Sequence, residues 1–192
     1  MDAFIKTAEQ QKLIEGIRAL GPSFQQREPA LDAAGSFPFR NIEELKKLDY
    51  HTLTLPKEYG GQGFGLYEYI LAQEAISEAS GPTGLSIGWH TGIVLEFAEN
   101  RHWHAHSAEW LMKEIRNGAL VNTAATESNA GSPTRGALPR TTAVPEGGDL
   151  IITGEKTYVS MAPALDFFFV TFQFAQAPIV DALDPHDIRI TD

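Results

Sequence analysis

Cysteine is missing from all 192 residues. Its absence removes disulfide frameworks, thiolate zinc sites and thiol nucleophiles from consideration. Cationic side chains are scarce as well: 15 Lys and Arg stand against 25 Asp and Glu, a formal net charge of −10. A general binder of phosphate backbones needs clustered cations, so no nucleic-acid partner is expected. A small anionic ligand stays open, since a local site can be positive on an acidic protein. No apolar run is long enough for a bilayer. Leu85 to Ala98 is interrupted by Gly88, His90, Thr91, Gly92 and Glu96, and it falls short of the ~18–20 residues a span requires. Met1 to Gln11 carries Asp2 and Glu9 and no apolar stretch, so it is not a secretory signal. The expected compartment is the cytoplasm.

What is present is ordinary globular material, 43% hydrophobic and 21% charged, with enough apolar residues for a real core. Length points to one domain or one and a half. The first hundred or so residues carry helical periodicity. Leu13, Ile14, Ile17 and Leu20 form one stripe, and Gly21-Pro22 is expected to end it. Asn41-Ile42-Glu43-Glu44 has the form of an N-cap opening a short helix through Leu48. Leu66, Tyr69, Ile70, Gln73 and Ile76 form another stripe, stopped by Gly81-Pro82. Leu85 to Ala98 is apolar on nearly every face and predicts a helix buried inside the protein. A further helix is predicted over Ser107 to Arg116, closed by Asn117-Gly118.

From Ala119 onward Thr, Val, Ile and Phe dominate short runs broken by Gly and Pro. Thr141 to Val144 and Leu150 to Thr153 flank Glu146-Gly147-Gly148-Asp149, the pattern of a hairpin. Phe167 to Phe174 predicts one dense strand, buried on both faces or covered by a missing partner. Helices first and strands second is a segregated α+β arrangement, not the alternation of a βαβ fold. The division expected is a helical domain over 1–118 and a β domain over 119–192. Ala175 to Asp192 ends without a capping element, and the small sheet before it looks unfinished. This predicts a truncated version of something longer, with a simply disordered C-terminus as the alternative.

Several groups of residues bear on chemistry. Gly60-Gly61-Gln62-Gly63-Phe64-Gly65 is glycine-rich, but its spacing fails the G-x-G-x-x-G dinucleotide pattern, so a sharp turn is favoured. His102, His104 and His106 are spaced for a metal only if extended. No carboxylate set completes them except Glu99 and Glu109, so a solvated loop is favoured and no metal is expected. His90 sits inside the apolar segment as a core residue or as one facing a ligand cavity. Thr126 and Ser132 bring hydroxyls to a small-residue turn that follows a predicted strand. Thr153 to Ser160 alternates, which places Tyr158 and Ser160 on one face of a strand. An aromatic and several hydroxyls together suit a flat heteroaromatic ring with hydrogen-bonding edges. Two ordinary turns satisfying their own backbone are the alternative.

Three of these segments carry a resemblance. Leu55-Pro56-Lys57-Glu58-Tyr59-Gly60-Gly61, Gly118 through Ser132, and Gly154-Glu155-Lys156-Thr157-Tyr158-Val159-Ser160 resemble, in order, the P-x-E-Y-G-G turn, the T-E-P-x-A-G-S-D loop and the G-x-K-x-W-I-T strand of the acyl-CoA dehydrogenase family. The resemblance covers most of residues 5–174. It implies FAD bound among a helical N-terminal domain, a β-barrel-like middle domain and a C-terminal helical bundle. It places Thr126 at the pyrimidine side of the flavin and Ser132 near the pyrophosphate or substrate. Tyr158 stands where the family has a tryptophan beside the isoalloxazine, and Ser160 where its threonine approaches N5. His90 is carried as a substrate-contact candidate.

The implied reaction is α,β-dehydrogenation of an acyl-CoA thioester, with electrons passed to an electron-transfer flavoprotein and with homo-oligomers expected. The implied catalytic carboxylate belongs to the bundle, so no residue of this chain is assigned as base, and Glu127 is not promoted to it. Ser128 and Pro133 replace the family's proline and aspartate, which leaves the substrate class open. The alternative function is a non-catalytic binding or assembly module, with Phe167–Phe174 and Leu85–Ala98 as its surfaces.

Overall fold

The computed structural model describes residues 3–100, 103–128 and 136–175. Five helices come first: α1 Ala8–Ala34, α2 Phe39–Lys47, α3 Leu66–Ala79, α4 Gly81–Asn100 and α5 Ala105–Arg116. Five short strands follow: β1 Val121–Ala124, β2 Thr142–Glu146, β3 Asp149–Thr153, β4 Phe167–Val170 and β5 Gln173–Phe174. The α+β segregation holds. Two compact units emerge, Met1–Asn122 with Ser160–Phe167, and Thr123–Val159 with Phe168–Asp192. Residues 160–167 thus return to the helical unit.

Helix α1 starts on a capping box. Gln10 N–H donates to Thr7 Oγ1 at 3.1 Å, and Thr7 N–H donates to Gln10 Oε1 at 3.2 Å. The helix does not stop at Gly21-Pro22. It runs through Pro22 and Pro29 and ends on Gly35 in the left-handed region. There Gly35 and Ser36 N–H groups donate back to Asp32 and Leu31. Tertiary packing overrides the breaker: Ile17 and Phe24 are buried on both sides of Pro22.

Asn41 is not a cap either. Helix α2 begins two residues earlier, and buried Asn41 accepts from Arg27 Nε at 2.8 Å and donates to Thr83 Oγ1 at 2.8 Å. Arg27 also forks onto both oxygens of Glu44, at 2.6 and 3.2 Å, which holds the Glu44 carboxyl below its ordinary value. This network ties α1 to α2 and to the start of α4.

Helix α4 is less buried than its composition predicts. Ile87, His90, Thr91 and Val94 face the interior, whereas Leu85 is 64% and Trp89 50% exposed. Four-residue spacing puts Leu85 and Trp89 on one outward stripe. The core of the helical unit joins Ile14, Ile17 and Phe24 of α1 to Ile42 and Leu45 of α2 and Ile76 of α3.

In the β unit the hairpin forms as patterned. Strands β2 and β3 are antiparallel, with Ala143 opposite Ile152 and Glu146 opposite Asp149. Gly147 and Gly148 both have positive φ, as a two-residue turn matching the strand twist requires. The strand expected over Phe167–Phe174 is two strands, β4 and β5, whose residues are half-buried apart from exposed Phe168 and Gln173. They separate because they serve different partners: β4 neighbours β1, while β5 lies parallel to β2. The described strands form a mixed, partial β arrangement and no closed barrel.

Candidate functional site

The glycine-rich turn is structural. Gly61, Gly63 and Phe64 donate their N–H groups to Pro56, Leu55 and Leu53 carbonyls, so these groups are spent on the turn itself. A Cβ on Gly61 would stand 2.1 Å from the Leu55 carbonyl oxygen.

His90 is corrected from ligand contact to core tie. It is 0% exposed. Its Nε2 meets the His51 carbonyl at 2.8 Å, and its Nδ1 accepts from Val121 N–H at 3.1 Å. Both ring nitrogens are engaged by backbone, and burial pushes the imidazole pKa down to about 4. His104 and His106 flank the start of α5, and His102 lies outside the described residues. Among the described residues no group of three metal-ligating side chains converges.

The residues expected around the heteroaromatic ring divide as follows. In the β unit, Thr157 N–H donates to the Thr126 carbonyl at 2.8 Å, which sets Tyr158 one residue from a direct main-chain link to Thr126. The strand expected over Thr153 to Ser160 stops at Thr153: Tyr158 has φ 57°, in the left-handed region, and Ser160 lies in a turn. The period-two argument for a shared face therefore fails. Instead the backbone twist at Tyr158 presents a phenol that is 90% exposed. Thr126 is exposed too. Ser160 belongs to the helical unit, where its carbonyl accepts from Asn122 Nδ2 at 2.7 Å. Ser132 lies outside the described residues.

Sequence reasoning missed what stands behind Thr126. The Glu127 carboxylate accepts from Arg140 N–H at 2.6 Å, Thr141 N–H at 3.0 Å and Thr141 Oγ1 at 2.6 Å. It also accepts from Lys156 Nζ at 2.6 Å. Lys156, followed by these donors from Thr141, lowers the Glu127 pKa to about 2. A carboxylate so engaged is an anchor and not a proton acceptor. Lys156 reaches on to Thr171 Oγ1 at 3.2 Å and the Ala125 carbonyl at 3.5 Å. Beside this cluster the Thr157 hydroxyl is buried, with no hydrogen-bond partner among the described residues. The only sequence signal was that Glu127 and Lys156 both fall at motif positions.

Comparison with known proteins decides the family. The acyl-CoA dehydrogenase N-terminal domain model matches residues 7–116. This chain belongs to the acyl-CoA dehydrogenase family. YdbM of Bacillus subtilis (strain 168), an acyl-CoA dehydrogenase by name, is 40% identical over 171 residues, covering 89% of this chain and 45% of YdbM. A solved KijD3 holding FMN and a dTDP-linked amino sugar shares the fold at TM-score 0.76 and 24% identity, over 92% of this chain and 42% of that one. Butyryl-CoA dehydrogenase from Megasphaera elsdenii does so at TM-score 0.73 and 21% identity, over 88% and 45%. The chain spans less than half the length of these relatives.

Proposed function

We propose that this chain supplies one wall of a flavin and acyl-CoA site, serving FAD-dependent α,β-dehydrogenation of an acyl-CoA thioester. The cofactor of the family is a flavin, FAD in its acyl-CoA dehydrogenases. One observation carries the reading. Thr126 and Tyr158 are linked through Thr157, and among the described residues neither side chain has a hydrogen-bond partner. A free hydroxyl and a free phenol ring with a left-handed backbone beneath it fit the edge and flank of a flat heteroaromatic group.

When bound, FAD supplies a two-electron acceptor. The chain's own share is placement. The Thr126 hydroxyl would bond the pyrimidine edge, and Tyr158 would cover the ring and keep water from it. Ser160 would address the N5 side, and Ser132 the pyrophosphate or substrate. No residue here is assigned as the base that removes the α-proton. The partners that follow are an acyl-CoA, an electron-transfer flavoprotein and a second copy of the chain, with the cytoplasm as the compartment. No helix among the described residues is long and apolar enough to cross a membrane.

The test is titration of the purified chain with FAD, followed by anaerobic addition of acyl-CoA. Flavin fluorescence quenching is expected, with little bleaching from these 192 residues, none of which is assigned as the base. No quenching at saturating protein would remove the reading, and bleaching at full enzymatic rate would show that a base is present in this chain after all. A second reading, assembly without catalysis through a second copy, is favoured by the exposed Leu85 and Trp89 stripe. Sedimentation separates it: a monomer at every concentration ends that reading.

A further inference from the structure

Glu127 and Lys156 form a buried ion pair, 2.6 Å apart, with side chains 5% and 10% exposed. Its placement is unusual. Glu127 follows Thr126 in the chain, and Lys156 bonds the carbonyl of Ala125, which precedes Thr126. The two residues on either side of Thr126 are thus held by one pair. Lys156 also precedes Thr157, whose N–H closes onto the Thr126 carbonyl, and Tyr158 comes next. Neighbouring geometry tightens the same spot. A Cβ on Gly154 would stand 2.3 Å from Thr141 Oγ1, so the chain passes hard against the residue that also grips Glu127. Tyr158 then adopts a backbone conformation that L residues avoid unless their surroundings fix it.

We propose that the Glu127–Lys156 pair is a positioning device that holds Thr126 and Tyr158 as one preformed ligand-facing surface. The proposal rests on the flavin reading above and adds the residues that set its geometry. The pair touches no ligand; it acts through the two segments it joins, as supporting groups behind a binding surface do. The roles of its two members differ. Glu127 anchors the loop to the start of the hairpin through Arg140 and Thr141. Lys156 alone reaches Ala125 and Thr171. Removing the lysine should therefore loosen the 125–128 and 156–158 segments while the Glu127 anchor to the hairpin stays.

The test compares the unaltered chain with Lys156→Met and Lys156→Arg by amide hydrogen exchange and by FAD titration. In Lys156→Met, exchange at the Thr157 amide should rise about tenfold, and the FAD dissociation constant should rise about tenfold, the scale of one charged hydrogen bond lost. Amides of the β2–β3 ladder should stay at their original rates. Lys156→Arg keeps the cation and should show smaller rises in both. Ladder amides rising by the same factor as Thr157 would make the pair a general fold support and overturn the proposal. Unchanged exchange at Thr157 would overturn it as well. Equal FAD affinity in the unaltered chain and Lys156→Met overturns it while leaving the flavin reading intact. Failure of the unaltered chain to bind FAD removes the flavin reading, and the Thr157 exchange then decides the positioning role on its own.

Discussion

Gly61 and His90 show how much a single position can decide. At Gly61 any side chain meets the Leu55 carbonyl at 2.1 Å, which is backbone and cannot rotate away. Gly61→Ala should therefore lower stability by about 1–3 kcal/mol or more, the cost of an overpacked site, read as a fall in the urea midpoint. His90 is a proton-linked residue. Its folded pKa is about 4 against an ordinary 6.5, so the unfolded chain takes up a proton that the folded chain refuses. Its contribution is intact above pH 6.5 and falls as pH drops toward 4, with a slope of up to about 1.4 kcal/mol per unit. His90→Gln should flatten that slope in a urea titration series. Glu127 works over a lower window. Its carboxyl is held at about 2 against 4.5, so its stabilisation is present above 4.5 and is lost as pH falls through about 2.

At the scale of elements, the contact between α3 and α4 depends on glycine. Gly84, Gly88 and Gly92 recur every four residues and so share one side of α4. Tyr69 donates to the Gly88 carbonyl at 3.1 Å, and Gln73 donates to the Gly84 carbonyl at 2.8 Å. Gln73 is also the acceptor for buried Tyr50. A Cβ on Gly88 would lie 2.1 Å from Gln73 Nε2, whereas one on Gly92 meets only the Tyr69 hydroxyl at 3.3 Å. Gly88→Ala should displace Gln73, orphan the Tyr50 hydroxyl and cost about 1–3 kcal/mol. Part of this is offset by the helix preference of alanine, about 1 kcal/mol. Gly92→Ala should be near neutral. Thermal midpoints of the two variants check the order.

The same helices show what could be read from sequence. Apolar patterning located α3, α4 and α5, but the α3 stripe it picked is not the buried one: Leu66 is 58% and Ile70 54% exposed, while Leu71, Ala72 and Ala75 pack inward. It failed at Pro22 and Asn41. Those positions are decided by segments far along the chain, namely the core that α1 shares with Ile42, Leu45 and Ile76, and Thr83 for Asn41. It also overstated the burial of α4, since apolar composition cannot tell Ile87 from its neighbour stripe at Leu85 and Trp89. Among the candidate site residues, Thr126 and Tyr158 were singled out as candidates by motif and by hydroxyl chemistry. The Lys156 link was not, because a cation 29 residues from its carboxylate leaves no periodic trace.

Across the whole molecule, the net charge of −10 at neutral pH and the isoelectric point near 5.0 set how chains meet one another. Near pH 5 mutual repulsion vanishes, and His90 has by then begun to lose its contribution. Light scattering should rise steeply as pH approaches 5. Leu85→Gln together with Trp89→Gln should blunt the rise while moving stability by no more than about 0.5 kcal/mol, because both side chains are surface residues. The hairpin has a separate practical use. Its tip is open space, with nothing within 4 Å of a Cβ built at Gly147 or Gly148, and the adjoining Asp149 is exposed. Because these 192 residues hold no competing thiol, Asp149→Cys would provide one attachment point for a fluorophore. A dye at that tip could follow ligand capture by energy transfer without altering either Thr126 or Tyr158.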